Sequence, residues 1–382
     1  RNIPRETIRC DFHDRADVPG LGSSICDKPG YLPDVLQPII DDRDEIKAAI
    51  RREKDRDDHD EDRLTELEGR SGALKWILVS CFGYQGFSNA KFGRIECHEA
   101  INAFAREILM DAKTRLEEAG WQVVHGIVDS LWVTPREGTQ QQPLAGVAES
   151  VTEQTQIRLE YEGEYEWIAF VPRRDSDAGT LTKYFGKQTD GAYKYRGIEC
   201  RQRSTPTFVA DCQQALIEVF DKTRDPEAVC TELSTWISRL ETGAVDSAAL
   251  EITNRASKRL EEYTQSTHTT AALQRHTDHG RESFAGRDIS YVVVDDSKTS
   301  RERVRLPSED CSVYDREFYR GQLISAAESV LSPIGWRATE ICDNLSNRCS
   351  RPIESYIERS CEQADRLRNH EEVSGESSRG PG

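Results

Sequence analysis

Apolar residues recur at helical spacing in three long stretches of the chain. The first runs from Pro33 to Arg63 and is rich in charge, and the second begins near Leu64. The acidic segment KDRDDHDED lies between them, so the pattern predicts an antiparallel pair of helices. A third stretch, from His98 to Ala119, is followed by Gly120, a residue that commonly terminates helices.

Strand-like patterns appear after Gly120. Val123–Val124 and Leu131–Val133 are short apolar strands on either side of a tight link that holds Asp129. After a helical piece, two more strands are predicted in the runs IRLEYE and EYEWIAFVP. Further helices are predicted at Thr207–Thr223, Asp225–Thr242 and Arg316–Leu331. The sequence therefore predicts an α+β fold, ending in a disordered Ser/Gly/Glu-rich stretch from Glu371 onward.

Asp129 has two interpretations. Asp and Ser are common turn residues, so Asp129–Ser130 fits a capped turn. A carboxylate raised on a rigid hairpin also suits a hard divalent cation such as Mg²⁺, which takes oxygen ligands. The hairpin alone favours the capped turn, and neighbouring motifs decide the choice.

Charge and composition give a broad class rather than a partner. The 68 acidic and 51 basic residues leave a net charge of -17, which would ordinarily argue against nucleic acid as a partner. Arg far outnumbers Lys and the acids are scattered, a pattern that indicates adaptation to high salt, where long-range repulsion is screened. No apolar run approaches a membrane span, so we expect a cytoplasmic protein with no membrane partner. The chain does not begin with Met, and we expect it to be the downstream part of a longer protein.

Eleven cysteines are scattered with no C-x-x-C pair, as is typical of a reducing cytosol. Cys342, Cys349 and Cys361 raise the possibility of a zinc site, but their spacing fits no common zinc module. The favoured alternative is ordinary thiols.

The longest motif is ALKWILVSCFGYQGFSNAKFGRIECHEAI, preceded by RSG. It resembles the fingers motif K-x-x-x-N-S-x-Y-G of family B DNA polymerases, followed by that family's G-F-x-N-A-R/K and its E-A-I helix. The opening RNIPRETIRC is similar to the N-x-S-P-E-T that follows the family's first aspartate motif, D-x-x-S-L-Y-P. HGIVDS lies where the family has Y-x-D-T-D-S.

Other motifs keep the family's order. DDRDEIK carries Arg43 and Lys47, which match the basic pair at the start of the fingers. KYFG resembles K-x-Y-x-G, YRGIECRQRSTPTF resembles the thumb entry K-G-I-E-x-x-R-R, and YDREFYRGQLISAAESVL is similar to the closing thumb helix. The resemblance runs collinearly from residue 1 to about residue 340. It is strongest to archaeal, haloarchaeal-like members whose catalytic motifs are disrupted.

This resemblance implies a polymerase right-hand architecture, with an antiparallel-sheet palm, a helical fingers hairpin and a mostly helical thumb. It divides the chain into a palm segment (1–32), fingers (33–85), palm with the Asp129 hairpin (86–172), thumb (173–345) and a partly disordered tail (346–382). It implies template-directed DNA synthesis with Mg²⁺ as cofactor. The implied partners are primer–template DNA, deoxynucleoside triphosphates and a sliding clamp.

The family's motifs also imply roles for single residues. Asp129 matches the Asp that bridges two metals, so the resemblance favours a catalytic metal ligand over a capped turn. The residues that match nucleotide-binding positions are Arg43, Lys47, Arg70, Lys75, Phe82 and Gly83. Those that match DNA-binding positions are Ser130, Lys183, Tyr184, Arg196 and Arg201. The alternative for the cations is a solvated surface, and for Phe82 a place in the core.

The sequence departs from the family at three positions. Ile127 replaces the first Asp of D-T-D-S, His125 replaces a Tyr, and Val79 replaces the Asn of the fingers motif. The first-motif Asp would lie upstream of Arg1. We therefore expect residues 1–382 alone not to polymerise.

Three hypotheses follow for the parent protein. It is a DNA polymerase, slow or specialised for damaged templates; or a decayed polymerase fold that binds DNA as a structural or regulatory subunit; or a split gene product without function.

Overall fold

The computed structural model describes residues 3–9, 15–56, 58–173, 175–176, 178–281, 284–299 and 301–348. The chain divides into two compact units, Arg1–Glu162 and Gly163–Gly382. The mixed helix and sheet fold predicted from the sequence is confirmed.

In the first unit, two long helices, α1 (Tyr31–Lys54) and α2 (Glu61–Gln85), pack against each other as the predicted hairpin. The predicted connection KDRDDHDED spans the end of α1 at Lys54 and the start of α2, so the helical stretch drawn to Arg63 includes the turn. Asp60 is the N-cap of the second helix. Its side chain accepts a hydrogen bond from the Arg63 backbone N–H at 3.1 Å. The buried Glu53 carboxylate supports the turn by accepting a hydrogen bond from the Asp60 N–H at 3.2 Å.

Helix α3 (Ile95–Glu118) leads into a two-stranded antiparallel sheet of β1 (Trp121–Ile127) and β2 (Ser130–Pro135). Helix α4 (Leu144–Thr155) follows. One face of α3 packs on the N-terminal segment, and the members of that core are Ile3, Ile8, Val18, Cys97, Ala100, Ala103 and Phe104. The other end of α3 shares a core with the hairpin and α4, made of Leu116, Ala119 and Val147 with Trp121, Val123, Leu131, Val133 and Leu144 packed on it.

The strand predicted in IRLEYE, residues 157–162, is wrong. Side chains of α4 take backbone N–H groups that a strand ladder would need: Thr155 Oγ1 accepts from Ile157 at 3.2 Å, and Thr152 Oγ1 accepts from Leu159 at 2.9 Å. Gln156 has a left-handed φ of 57° that ends the helix. The segment therefore caps α4.

The second unit begins with an antiparallel sheet in the order β3 (Tyr165–Pro172), β4 (Gly179–Gln188) and β5 (Tyr193–Arg196). Helices α5 (Thr207–Thr223), α6 (Pro226–Glu241) and α8 (Arg316–Leu331) lie within a residue of their predicted bounds. They share a large buried core with a second sheet, β6 (Ile252–Arg255), β7 (Asp288–Val293) and β8 (Val304–Arg305). The remaining helices are α7 (His268–Asp278) and α9 (Ala338–Arg348).

The division between the two units follows Glu162, whereas the sequence places its palm–thumb boundary after Pro172. Strand β3 therefore belongs to the same unit as β4 and β5. The naming of the segments as palm, fingers and thumb stays a prediction.

Cys342 is buried in α9, and Cys349 and Cys361 lie outside the described residues. Within the described ranges there is no group of three or more His, Cys, Asp or Glu side chains placed to hold a metal ion. Among the described helices, none is both long and apolar enough to cross a membrane.

Candidate functional site

Asp129 lies at the tip of the β1–β2 hairpin. Ile127 and Ser130 are the last paired residues, so Val128 and Asp129 form a two-residue turn. Val128 is 72% exposed and has a φ of +20°, at the edge of the left-handed region that β-branched residues avoid. Asp129 is exposed as well, and its Oδ1 accepts a hydrogen bond from Ser130 Oγ at 3.3 Å. The turn thus presents one carboxylate to solvent.

This carboxylate meets part of the requirement for Mg²⁺. Its oxygens are exposed and are the ligand type that a hard cation prefers. The part of the chain that the structure describes places no three acidic, His or Cys side chains so that they could hold a metal ion together. Asp129 thus offers one carboxylate, and Mg²⁺ usually completes its coordination with water and substrate phosphates.

The four predicted nucleotide-binding cations lie on α1 and α2. Arg43 and Lys47 are four residues apart on α1, which places them on one face of the helix. Lys47 is 3.9 Å from Glu160, and the buried Nε of Arg43 has no hydrogen-bond partner among the described residues. On α2, Arg70 lies 3.9 Å from Glu66, and Lys75 is exposed. All four belong to the first unit with Asp129, and no hydrogen bond or ion pair between described residues joins them to it.

Phe82 and Gly83 lie near the C-terminal end of α2. The Phe82 ring is half-buried and stacks on His98 of α3 with ring centroids 4.2 Å apart. Gly83 is exposed, and a Cβ there would meet no atom within 4 Å. Phe82 is therefore half-buried against His98, and the neighbouring residue Gly83 borders open space.

The predicted DNA-binding residues other than Ser130 lie in the second unit. Arg196, opposite Tyr184 in the β4–β5 ladder, is exposed, as is Arg201 in the following turn. Lys183 is half-buried, whereas Tyr184 is only 4% exposed and packs 5.7 Å from Phe170. The burial of Tyr184 favours a packing role, and the DNA contact predicted for it has no support in this arrangement.

Gly197 brings these segments together. Its φ is +66°, and a Cβ there would lie 2.3 Å from the Thr182 backbone oxygen and 3.3 Å from Lys183 Cγ. Only glycine fits such a close approach with a left-handed backbone. The chain that carries Arg196 can therefore run beside Lys183.

Three polar residues that sequence reasoning missed fix the turn that holds Arg201. Glu199 accepts hydrogen bonds from Gln213 Nε2 at 2.6 Å and from Ser329 Oγ at 3.0 Å. The fully buried Gln213 also accepts from the Cys200 N–H at 2.8 Å and donates to the Ala326 carbonyl at 3.0 Å. The Glu of the thumb-entry motif marks Glu199 in the sequence. No spacing pattern indicates its hydrogen-bond partners Gln213 and Ser329.

Comparison with known proteins defines the class of this chain. The family model of DNA polymerase family B matches residues 23–334. The chain therefore belongs to the family B DNA polymerases.

Two archaeal DNA polymerases are similar to this chain. The chain is 26% identical over 354 residues to the DNA polymerase of Thermococcus sp. (strain 9oN-7), covering 89% of this chain and 44% of that protein. It is 35% identical over 177 residues to DNA polymerase 2 of Saccharolobus solfataricus, covering 46% of this chain and 24% of that protein. The chain thus spans less than half of either relative. Its place in a haloarchaeal group with disrupted motifs stays a prediction.

A solved structure shares the fold. The family B DNA polymerase of the hyperthermophilic archaeon Pyrobaculum calidifontis matches with a TM-score of 0.55 at 24% identity. The match covers 88% of this chain and 43% of the other. At this identity the likeness establishes the fold alone.

Proposed function

We propose that this chain is the nucleotide- and DNA-binding part of a DNA-directed DNA polymerase. The parent enzyme adds deoxynucleotides to a primer 3′-OH under the direction of a template, in replication or repair. The observation that carries the proposal is the exposed Asp129 carboxylate on the two-residue turn of β1–β2, inside the residues that match the polymerase family.

Nucleotide addition requires that the reacting groups are positioned precisely and that positive charge lies near the phosphates. Transfer of a phosphoryl group proceeds by in-line displacement, and the protein contributes mainly by holding the reacting groups and stabilising charge. Two Mg²⁺ ions would supply the stabilisation of the attacking and leaving oxygens. Asp129 is one carboxylate toward such ions. Further ligands would have to come from residues that the described structure does not place beside it.

The cations have a separate task. We assign Lys75, Arg70, Arg43 and Lys47 to the triphosphate, because they lie on the paired helices α1 and α2, where Arg70 and Lys75 are exposed and Arg43 and Lys47 are half-buried. Arg196, Arg201 and Lys183 are assigned to the primer–template backbone, where cations meet phosphates without reading sequence.

A second function is a polymerase fold that binds primer–template DNA without catalysis. Ile127 favours it, since this aliphatic residue occupies the position where the family has a further carboxylate. It pairs with Ser130 directly beside Asp129, so no second acid compensates on the same turn.

Primer extension in molar KCl with Mg²⁺ tests the first function. We expect this chain to bind primer–template DNA, as measured by fluorescence anisotropy, but not to extend it. A longer polypeptide that adds the family's first aspartate motif before Arg1 should extend the primer. Asp129→Asn in that polypeptide should lower the rate by on the order of 100-fold or more, since even groups that only support a metal ligand cost 10- to 100-fold when removed.

Glu137→Gln is the matched control, because Glu137 is an exposed acid at the other end of the same hairpin. It should leave extension unchanged. Extension that survives Asp129→Asn would remove Asp129 from the mechanism. No extension by the longer polypeptide, with DNA binding intact, would establish the second function.

A further inference from the structure

A carboxylate lies against one of the cations assigned to the triphosphate. Oε2 of Glu160 is 3.9 Å from Nζ of Lys47, and the two side chains are 40% and 37% exposed. Glu160 belongs to the segment that follows α4, whereas Lys47 lies on α1. The ion pair therefore joins two parts of the first unit that are far apart in the chain.

The end of α4 fixes the position of Glu160. The backbone N–H of the preceding residue, Leu159, donates a hydrogen bond to Thr152 Oγ1 at 2.9 Å. The other carboxylate oxygen of Glu160, Oε1, is 3.0 Å from a guanidinium nitrogen of Arg158. The backbone and one carboxylate oxygen are thus held in place, which reduces the side-chain entropy that an exposed ion pair usually loses when it forms.

Glu160 covers only part of the cationic face of α1. Arg43 lies about one turn before Lys47 on the same face, and its buried Nε has no hydrogen-bond partner among the described residues. A single carboxylate contacts Lys47, whereas a triphosphate is a longer anion that can meet both cations. Because the carboxylate and the triphosphate are both anions, each excludes the other at Lys47.

We propose that Glu160 is an internal competitor of the triphosphate at Lys47, so that nucleotide binding has to break this ion pair. The inference rests on the proposed function, in which Lys47 meets the triphosphate. The ion pair lowers the affinity for nucleotide and occupies the cation while no nucleotide is bound. Its effect depends on salt, because at molar KCl the screening length is about 3 Å, shorter than the 3.9 Å separation.

Nucleotide binding tests the competition. The full chain is bound to primer–template DNA with a dideoxy-terminated primer and a template thymine, and its affinity for dATP is measured with Mg²⁺. We expect Glu160→Gln to raise this affinity about two- to fivefold at about 0.2 M KCl, the range of an exposed ion pair. At about 2 M KCl the gain should largely disappear, because salt already screens the pair in the wild-type chain.

Two controls separate the ion pair from a general change in charge. Glu153→Gln removes the charge of an exposed acid of α4 and should leave the affinity for dATP unchanged. In a chain that carries Lys47→Gln, Glu160→Gln should no longer raise the affinity. No gain in Glu160→Gln, or an equal gain in either control, would overturn the inference.

A wild-type chain and a Glu160→Gln chain that both bind DNA but no dATP would refute the proposed function, and the competition with it. The ion pair itself is decided separately by urea unfolding at about 0.2 M KCl, where screening is incomplete. Glu160→Gln should lower the urea midpoint further in the wild-type chain than in Lys47→Gln, where only the contact with Arg158 remains to be lost. Equal shifts in the two chains would show that the ion pair does not form.

Discussion

Gln213 is a neutral side chain that fixes the turn carrying the charged residues Glu199 and Arg201. It is fully buried on α5, and its amide joins Cys200 and Glu199 of the turn to the Ala326 carbonyl of α8. Arg201 follows in that same turn and is exposed. The amide has both donor and acceptor character, which lets one residue satisfy an N–H, a carboxylate and a carbonyl.

Gln213→Leu should lower the free energy of unfolding by about 3 kcal/mol, because it leaves several buried polar groups without partners. Urea unfolding followed by circular dichroism measures the loss. Gln214→Leu is the matched control: the same change at the next, half-buried position of α5. Equal losses in the two variants would contradict the role given to Gln213.

Residues differ in how far sequence can locate them. Asp129 could be placed at a turn because apolar strands flank it on both sides. Gln213 could not be identified, because periodicity marks the buried face of a helix by apolar residues and gives no sign of a polar one. The His98–Phe82 stack is also invisible to spacing rules, since it joins two helices through a contact between side chains.

At the scale of elements, Gly197 allows the chain at the end of β5 to approach the backbone of β4 closely. Two independent features require glycine at position 197: its φ is positive, and a Cβ there would lie 2.3 Å from the Thr182 backbone oxygen. Gly191, between β4 and β5, has only the first feature, since its φ is +89° and no atom lies within 4 Å of a Cβ there. Comparing substitutions at the two glycines therefore distinguishes the cost of backbone strain from the cost of a steric clash.

Gly191→Ala should therefore cost about 1 kcal/mol in unfolding free energy, from the left-handed backbone alone. Gly197→Ala adds a clash with a neighbouring strand and should cost about 3 kcal/mol. It should also weaken primer–template binding, measured by anisotropy at fixed KCl, because the segment bearing Arg196 must move away from Lys183. Similar effects of both substitutions would show that the close approach is unimportant.

Helices were the elements best predicted from the sequence. The bounds of α5, α6 and α8 were predicted to within a residue because long apolar periodicity and caps such as Asp225 mark them. The prediction was wrong where polar side chains compete for the backbone. Asp60 begins a helix inside a charged run, and Thr152 and Thr155 take the N–H groups of the expected strand.

For the whole molecule, charge is the dominant property. A net charge of -17 over 382 residues means that the folded chain repels itself at low ionic strength. At molar salt the screening length is about 3 Å, and this repulsion becomes short-ranged. Stability should then depend on salt in the direction opposite to that of a protein stabilised by surface ion pairs.

Raising KCl from about 0.1 M to about 2 M should therefore raise the urea midpoint of unfolding, since self-repulsion is screened over that range. An uncharged osmolyte at matched osmolality controls for general exclusion from the surface, which also stabilises folded chains. A midpoint that falls with KCl, or that rises equally in the osmolyte, would refute the interpretation of the charge pattern as salt adaptation.

At the scale of the whole molecule, the order of the motifs along the sequence predicted the protein family. Seven segments in the family's order predicted a family B polymerase, and the family model matching residues 23–334 confirms it. The division after Glu162 was not predicted, because it depends on which strands share a sheet, and local patterns do not encode that partnership.

The β1–β2 hairpin has an evolutionary consequence. Ile127 is only half-buried and pairs with Ser130 at the mouth of the turn, so an acidic residue at position 127 would enter no sealed core. Packing around position 127 therefore does not oppose an acid there. A single replacement of Ile127 would restore the two acids of the family motif, a change open to evolution without repacking of a core.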